Sequence, residues 1–256
     1  MSKKCPNKAI VPKGISCYNT RVGYPKEARL YKVAGIVFEA KDCGNAFTAR
    51  AEKYRVGEGV PEFVLTVTEE EVERCGIEAS EDGKRYMVSG SKFYVELIKR
   101  GGMMLHSSAV AVGGKAYLFS ADPGVGKSTH TGYWLELFPE AFILNDDKPA
   151  LLPEAGGVTA YGTPWSGKHD ISVNAGVPVG GIAFIERAET NFIEPMPSGE
   201  AVFRLLSQTL RHVKRERMEA LLGTLDRVIR SVPIYRLGAT NDISAAELAC
   251  RAMIKV

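Results

Sequence analysis

The stretch from Ala116 to Thr131, AYLFSADPGVGKSTHT, constrains this chain more than any other. An apolar run, Tyr117-Leu118-Phe119, leads into a glycine-rich turn, Asp122-Pro123-Gly124-Val125-Gly126, and Lys127-Ser128-Thr129 opens a helix. Strand, turn and helix in that order make a phosphate-binding loop. Backbone N–H groups of the turn and the positive end of the helix point at one anion, and the lysine adds a point charge. The Ser128 hydroxyl then falls where it touches a magnesium ion bridging the phosphates. The usual pattern has a glycine six residues before the lysine; here that position is Ala121. Alanine serves there unless the backbone needs a positive φ.

Composition narrows the rest. At 256 residues the chain suits one large domain or two modest ones, with a sizeable core. A net charge of +3 is too mild to argue for a nucleic-acid partner, and Trp134 and Trp165 interleave no basic patch. No apolar run approaches the ~20 residues of a membrane span. The start, MSKKCPNKAIVPKG, lacks the apolar stretch of a secretory leader. The expectation is a cytoplasmic protein with no membrane partner. Cys5, Cys17, Cys43, Cys75 and Cys250 are odd in number and form no C-x-x-C pair, which reads as reduced thiols rather than a disulfide frame or zinc site.

Two parts of different texture follow in order. Residues 1–28, rich in Lys, Pro and Gly, read as a surface-wrapping or partly mobile segment. Tyr31–Ala40 and Glu62–Val67 read as strands, with turns and charge over residues 41–60, and Tyr86-Met87-Val88 as a third short strand. Thr68 with Glu71 predicts a capping box on a short helix, whose acidic run Glu69 to Glu73 is a solvated face. Ser91–Arg100 has helical spacing. This makes residues 1–100 a small β-rich N-terminal region. From Met103 the pattern becomes α/β. Strands are predicted over Leu105–Val112, Ala116–Ser120, Phe142–Leu144, Leu151-Leu152, Val158–Tyr161, Val179–Glu186 and Ile234–Leu237. Helices are predicted over Lys127–Leu137, over most of Gly199–Leu225, and over Ser244–Ile254 with Ser244 as cap. Residues 101–256 form one phosphate-loop domain on this reading.

Four features can converge on one site: the loop, His106, Asp146-Asp147, and Thr163–His169. Asp146 and Asp147 end a short buried strand, and Asp147 lies twenty residues past Lys127, where a second metal-holding element belongs. Neighbouring side chains at a strand end point opposite ways, so one acid can hold a metal while the other accepts a proton. His106 reads either as structural or as part of the site. Lys168 and His169 read as substrate or phosphate contacts, or as surface loop residues. Arg187 and Arg204 read as a charge clamp or as ordinary surface arginines. The basic run Arg211-His212-Lys214-Arg215-Arg217 reads as a solvated helix face or a dock for an acidic partner.

These residues together resemble the HPr kinase/phosphorylase and phosphoenolpyruvate carboxykinase superfamily. The resemblance rests on Leu105-His106-Ser107-Ser108-Ala109, on Asp122 to Ser128, and on Asp146-Asp147, in that order, with 21 residues from His106 to Lys127. It covers roughly residues 103–190. Small bacterial HPr-kinase-related proteins also share stretches similar to Asn145-Asp146-Asp147-Lys148-Pro149 and Gly162-Thr163-Pro164-Trp165-Ser166-Gly167-Lys168. The resemblance implies a phosphate-loop core that uses ATP with Mg²⁺, or Mn²⁺. It implies that Asp122, Pro123, Gly124, Val125, Gly126, Lys127, Ser128 and Thr129 hold the phosphates. Ser128 and Asp147, with His106, would bind the metal, and Asp146 would be the general base beside Lys127 and His106. Trp165, Ser166, Lys168, His169 and Arg187 would meet the substrate.

The implied reaction is phosphoryl transfer to a hydroxyl of a peptide, small protein or metabolite. Alternatives are a nucleotide-binding regulator with little turnover and a carboxykinase-like lyase. Trp165-Ser166-Gly167-Lys168 stands where HPr kinases carry Arg-Gly-Leu-Gly, which argues against HPr as acceptor and against a paired phosphorylase activity. The residues before Met103 show no equivalent of the carboxykinase substrate domain, which argues against the lyase.

Overall fold

The computed structural model describes residues 29–211 and 214–254. The readings made for residues 1–28, including Cys5 and Cys17, and for His212 and Val213 lie outside the described residues. The N-terminal part carries β1 (Arg29–Val33), β2 (Ile36–Lys41), α1 (Asn45–Ala51), β3 (Phe63–Thr66), α2 (Glu69–Glu73) and α3 (Glu81–Lys99). The larger part carries β4 (Met103–Met104), β5 (Ser107–Val112), β6 (Lys115–Ser120), α4 (Lys127–Leu137), β7 (Phe142–Asn145), β8 (Ala150–Glu154), β9 (Gly157–Tyr161) and β10 (Gly176–Arg187). It closes with β11 (Phe192–Pro195), α5 (Ser198–Ser207), α6 (Arg215–Ser231), β12 (Ile234–Ala239) and α7 (Ile243–Met253). The architecture is mixed α/β with a small β-rich N-terminal part.

Nine strands make one sheet, ordered β4-β8-β9-β10-β6-β5-β7, with β12 on β10 and β11 on β12. The long β10 joins its two halves. Gly176–Pro178 pairs antiparallel with β9, while the following residues run parallel between β6 and β12. The register shifts between Val179 and Gly181, and a side chain on Gly180 would meet the Tyr117 ring at 2.6 Å. The bend therefore falls where only glycine lets the strand close on its neighbour.

Strand alternation divides the core. Tyr117, Phe119, Ala183 and Ile185 face the layer of α4 and α7, packed with Trp134, Ala249 and Met253. Ala116, Leu118, Ile182 and Phe184 face the other way, into a larger cluster that includes Leu205, Leu225, Phe93 and Phe38. With both faces covered, the central strands are buried along almost their whole length. The second cluster runs without a break from β1 and β2 across α3 to the sheet. Among the described residues, no helix is long and apolar enough to cross a membrane.

Several local expectations change. Tyr31–Ala40 is a hairpin rather than one strand, because Ala34 and Gly35 take φ of 50° and 80°. Asn45–Ala51, within the stretch read as turns and charge, is helical. Tyr86-Met87-Val88 is helical: α3 begins at Glu81, capped by Ser80, and buries Arg85, Ser89, Phe93 and Leu97 at four-residue spacing. That long face outweighs the local strand preference of a Tyr-Met-Val triplet. The strand expected over Leu105–Val112 begins at Ser107, which leaves His106 in a break. The helix expected over Gly199–Leu225 is two helices, with Gln208 ending the first. Leu210 and Arg211 lie outside both, and Arg215 and Arg217 open the second, so the described residues of the basic run do not share one helix face. Asp242, not Ser244, caps α7, accepting the Ser244 N–H at 2.9 Å. The capping box on α2 forms between Thr68 and Glu71.

Candidate active site

The glycine-rich turn uses two left-handed backbone positions, Gly124 at φ 80° and Gly126 at φ 121°. Ala121 has no positive φ and is buried, so the alanine fits without strain. Gly126 begins α4 with no side-chain cap, which leaves the first-turn amides free to meet an anion. Lys127 turns back over the loop, its Nζ donating to the Ala121 carbonyl at 2.8 Å. Burial lowers its pKa from the usual lysine value, opposed by the charges of Asp147 and Asp122. The lysine thus shares one electrostatic neighbourhood with an acid of the loop and an acid from the end of β7.

Asn145 aims that second acid. It is fully buried, and its Oδ1 accepts the N–H of Asp147 at 2.9 Å and of Lys148 at 2.6 Å. Its Nδ2 donates to the Thr163 carbonyl at 3.0 Å. This Asx turn sends Asp146 and Asp147 to different places. Asp147 faces His106, Oδ1 to Nε2 at 3.3 Å, and its other oxygen bonds Lys148. Burial would raise the Asp147 pKa, but the His106 hydrogen bond and the Lys148 charge hold it down at about 2. Asp146 turns to the Thr163–His169 loop instead, its Oδ1 accepting the Gly167 N–H at 2.5 Å. Its Oδ2 makes no hydrogen bond with the described residues.

His106 is fixed from three sides. Its N–H donates to the Gln208 carbonyl at 2.8 Å, its carbonyl accepts from Ser120 Oγ at 2.8 Å, and its Nδ1 lies 2.9 Å from Gln208 Oε1. Gln208 Nε2 donates onward to Asp122 Oδ1 at 3.0 Å. With Oε1 as acceptor, Nδ1 carries a proton, and Nε2 is left for Asp147, donating to it in the hydrogen bond above and able to offer a divalent cation its lone pair in place of that proton. Two facing Lewis bases of this kind suit a divalent cation. The nitrogen favours Mn²⁺, the carboxylate oxygen accepts Mg²⁺ equally, and Gln208 is the outer partner that orients the imidazole. Among the described residues no group of three or more His, Cys, Asp or Glu gathers around a metal position, so further ligands would come from Ser128 and phosphate oxygens.

The remaining expected substrate residues separate. Trp165 is buried, stacked on Phe93 at 4.7 Å, with its indole N–H on Ser89 Oγ at 3.1 Å. Ser166 Oγ donates to Asp170 at 2.7 Å. Both line a cavity of about 350 Å³ that also touches His106, Asp147, Lys148 and Gln208. Arg187 lies on the other side of the loop, donating to the Gly124 carbonyl at 2.9 Å. There it lines a second cavity of about 500 Å³ with Gly124, Thr129, Tyr133, Thr240 and Asn241. Lys168 and His169 are exposed and line neither cavity. Arg204 pairs with Glu186 and Glu200 at the surface. Sequence reasoning missed Gln208 and gave Lys148 no role. Nothing local marks a glutamine at a helix end; only the folded chain brings it between Asp122 and His106.

No protein-family model matches the sequence. No curated protein matches it either. Among solved structures the chain is similar to the HPr(Ser) kinase/phosphatase from Coxiella burnetii, at 12% identity and a TM-score of 0.34, over 58% of this chain and 95% of that one. A likeness of that size carries no function across.

Proposed function

We propose that this chain is a kinase that moves the γ-phosphoryl group of ATP to a hydroxyl acceptor. One observation carries the reading: the loop lysine Lys127 feels the charge of Asp147, the acid that faces His106, at the mouth of an uncapped helix. Phosphoryl transfer needs charge neutralisation and an oriented acceptor more than covalent chemistry. Lys127 and the loop amides would hold the β- and γ-phosphates. The 500 Å³ cavity beside the loop has room for a nucleoside, which favours ATP over pyrophosphate as donor.

Ser128, Asp147 and His106 would hold a divalent ion. When bound, Mg²⁺ or Mn²⁺ supplies charge neutralisation on the phosphate oxygens. The acceptor oxygen attacks the γ-phosphorus. Its O–P bond forms as the bond to the bridging oxygen breaks, and ADP leaves. The acceptor's proton passes to Asp146 Oδ2, the oxygen that the Gly167 N–H does not occupy. The same residue set is compatible with the superfamily resemblance carried by His106, the loop and the acid pair.

The test is transfer of labelled phosphate from ATP across a panel of hydroxyl acceptors, with wild type beside Lys127→Ala. Transfer that the Lys127→Ala variant loses supports the reading. Tight nucleotide binding with no turnover on any acceptor would leave a nucleotide-binding regulator in its place.

A further inference from the structure

The 350 Å³ cavity ends at His106 and Asp147 and is walled on its far side by α3, an element from the part of the chain that carries no phosphate-loop motif. Resting on the kinase reading, we propose that this cavity is the acceptor subsite and that it selects a small uncharged alcohol with an apolar body.

Three features point there. First, the wall is made of ring and thioether groups: Tyr86, Met87, Tyr94, Met104 and Trp165. Second, the polar atoms on that wall are already engaged. Tyr86 Oη donates to the Pro164 and Ser166 carbonyls, and Tyr94 Oη meets Thr209 Oγ1. Thr209 Oγ1 also donates to the Met104 carbonyl, and Ser91 Oγ to that of Met87. Along that wall a carboxylate or phosphate on the acceptor would find no unengaged side-chain donor among the described residues to replace its water, at a cost an apolar group does not incur. Third, charge in the cavity stands only at its inner end. Lys148, the sole Lys or Arg of the lining among the described residues, is bound to Asp147, and that carboxylate repels a second anion.

An acceptor of this kind places its hydroxyl toward His106 and Asp147, at the inner end of the cavity, and its carbon frame along α3. Its size falls at the small end of ligand cavities. Gly90 keeps the wall open. Its Cα approaches the Trp165 ring so closely that a Cβ would stand 2.7 Å from Cδ1, so no side chain there fills the space.

A matched pair of probes decides it: 2-phenylethanol and 3-phenyllactate, which share ring and hydroxyl and differ by a carboxylate. Binding is measured by ligand-observed NMR on the full chain with Mg²⁺ and a non-hydrolysable ATP analogue. Transfer is measured separately with labelled ATP. The expected result is at least tenfold tighter binding of 2-phenylethanol, lost at least tenfold in Met87→Glu and kept in Met87→Leu, with nucleotide affinity unchanged in both. Equal or tighter binding of 3-phenyllactate, or indifference to Met87→Glu, overturns the proposal. Because binding is read without turnover, a chain that binds the alcohol but transfers nothing refutes the kinase reading and not the selectivity of the cavity. A chain that transfers phosphate to anionic acceptors only does the reverse.

Discussion

Gln208 bridges Asp122 and His106, its amide nitrogen donating to one at 3.0 Å and its carbonyl oxygen facing the other at 2.9 Å. One neutral side chain thereby couples the phosphate loop to the residue that faces Asp147. Replacing it with alanine frees the imidazole to rotate and to change tautomer. Loss of such an outer partner typically costs 10–100-fold in metal affinity or activity. Gln208→Ala is expected to weaken Mn²⁺ binding within that range, read by electron paramagnetic resonance, while Gln208→Glu retains the acceptor and part of the affinity.

The two adjacent acids should separate in their effects. Asp146→Asn removes the proposed proton acceptor, so transfer should fall at least a hundredfold with nucleotide affinity within about threefold of wild type. Asp147→Asn removes a charge that faces His106, Lys148 and Lys127. It should raise the divalent-ion concentration needed for half-maximal rate about tenfold or more. Chelation with EDTA should abolish transfer in wild type and be reversed by Mn²⁺. Transfer at wild-type rate in Asp146→Asn removes it from the reaction.

Cys43 supplies a pH prediction away from the site. Burial pushes its thiol up to about 12 from an ordinary value near 9, and its Sγ donates to the Leu65 carbonyl. The unfolded thiol ionises first as pH rises. The stabilisation is therefore whole below pH 9 and is lost as pH climbs from 9 through about 12, by roughly 4 kcal/mol in all. Chemical denaturation at pH 8 and pH 10.5 should show a smaller loss in Cys43→Ala than in wild type. The folded protein should also resist alkylation at Cys43 at pH 8.5.

Gly90→Ala is expected to destabilise by about 1–3 kcal/mol, because the new methyl would stand 2.7 Å from the buried Trp165 ring, which is itself stacked on Phe93. Trp165→Ala should cost more, about 3–5 kcal/mol, since it empties the stack between Phe93 and Phe47. Thermal melts of the two variants, ranked in that order, check the packing.

The shape of the loop was legible because it is set by local backbone chemistry. Two glycines take positive φ, a lysine follows, and a helix starts. Asp146 and Asp147 were legible as an acid pair at a strand end, and their divergence follows from Asn145, whose Asx turn has its own local signature. Much of the rest was not. The helix through Tyr86 was hidden because Tyr-Met-Val favours strands, while the deciding burial of Arg85, Phe93 and Leu97 is tertiary. Gln208, Lys148 and the cavity wall were invisible for a similar reason. Gln208 meets His106 across 102 residues of chain, and no spacing rule reaches that far.

The acceptor cavity borrows its outer wall from α3, a helix that also packs against α1, α2 and β3 of the N-terminal part and against β4 and α6. On the kinase reading, that wall decides how much water stands beside the γ-phosphoryl group. Water is itself a hydroxyl acceptor, present at far higher concentration than any metabolite, and excluding it is what separates transfer from wasteful hydrolysis. The elements before Met103 then act as the chain's defence against its own solvent. A change that loosens α3 should turn a phosphotransferase into an ATPase without touching a single residue of the phosphate loop.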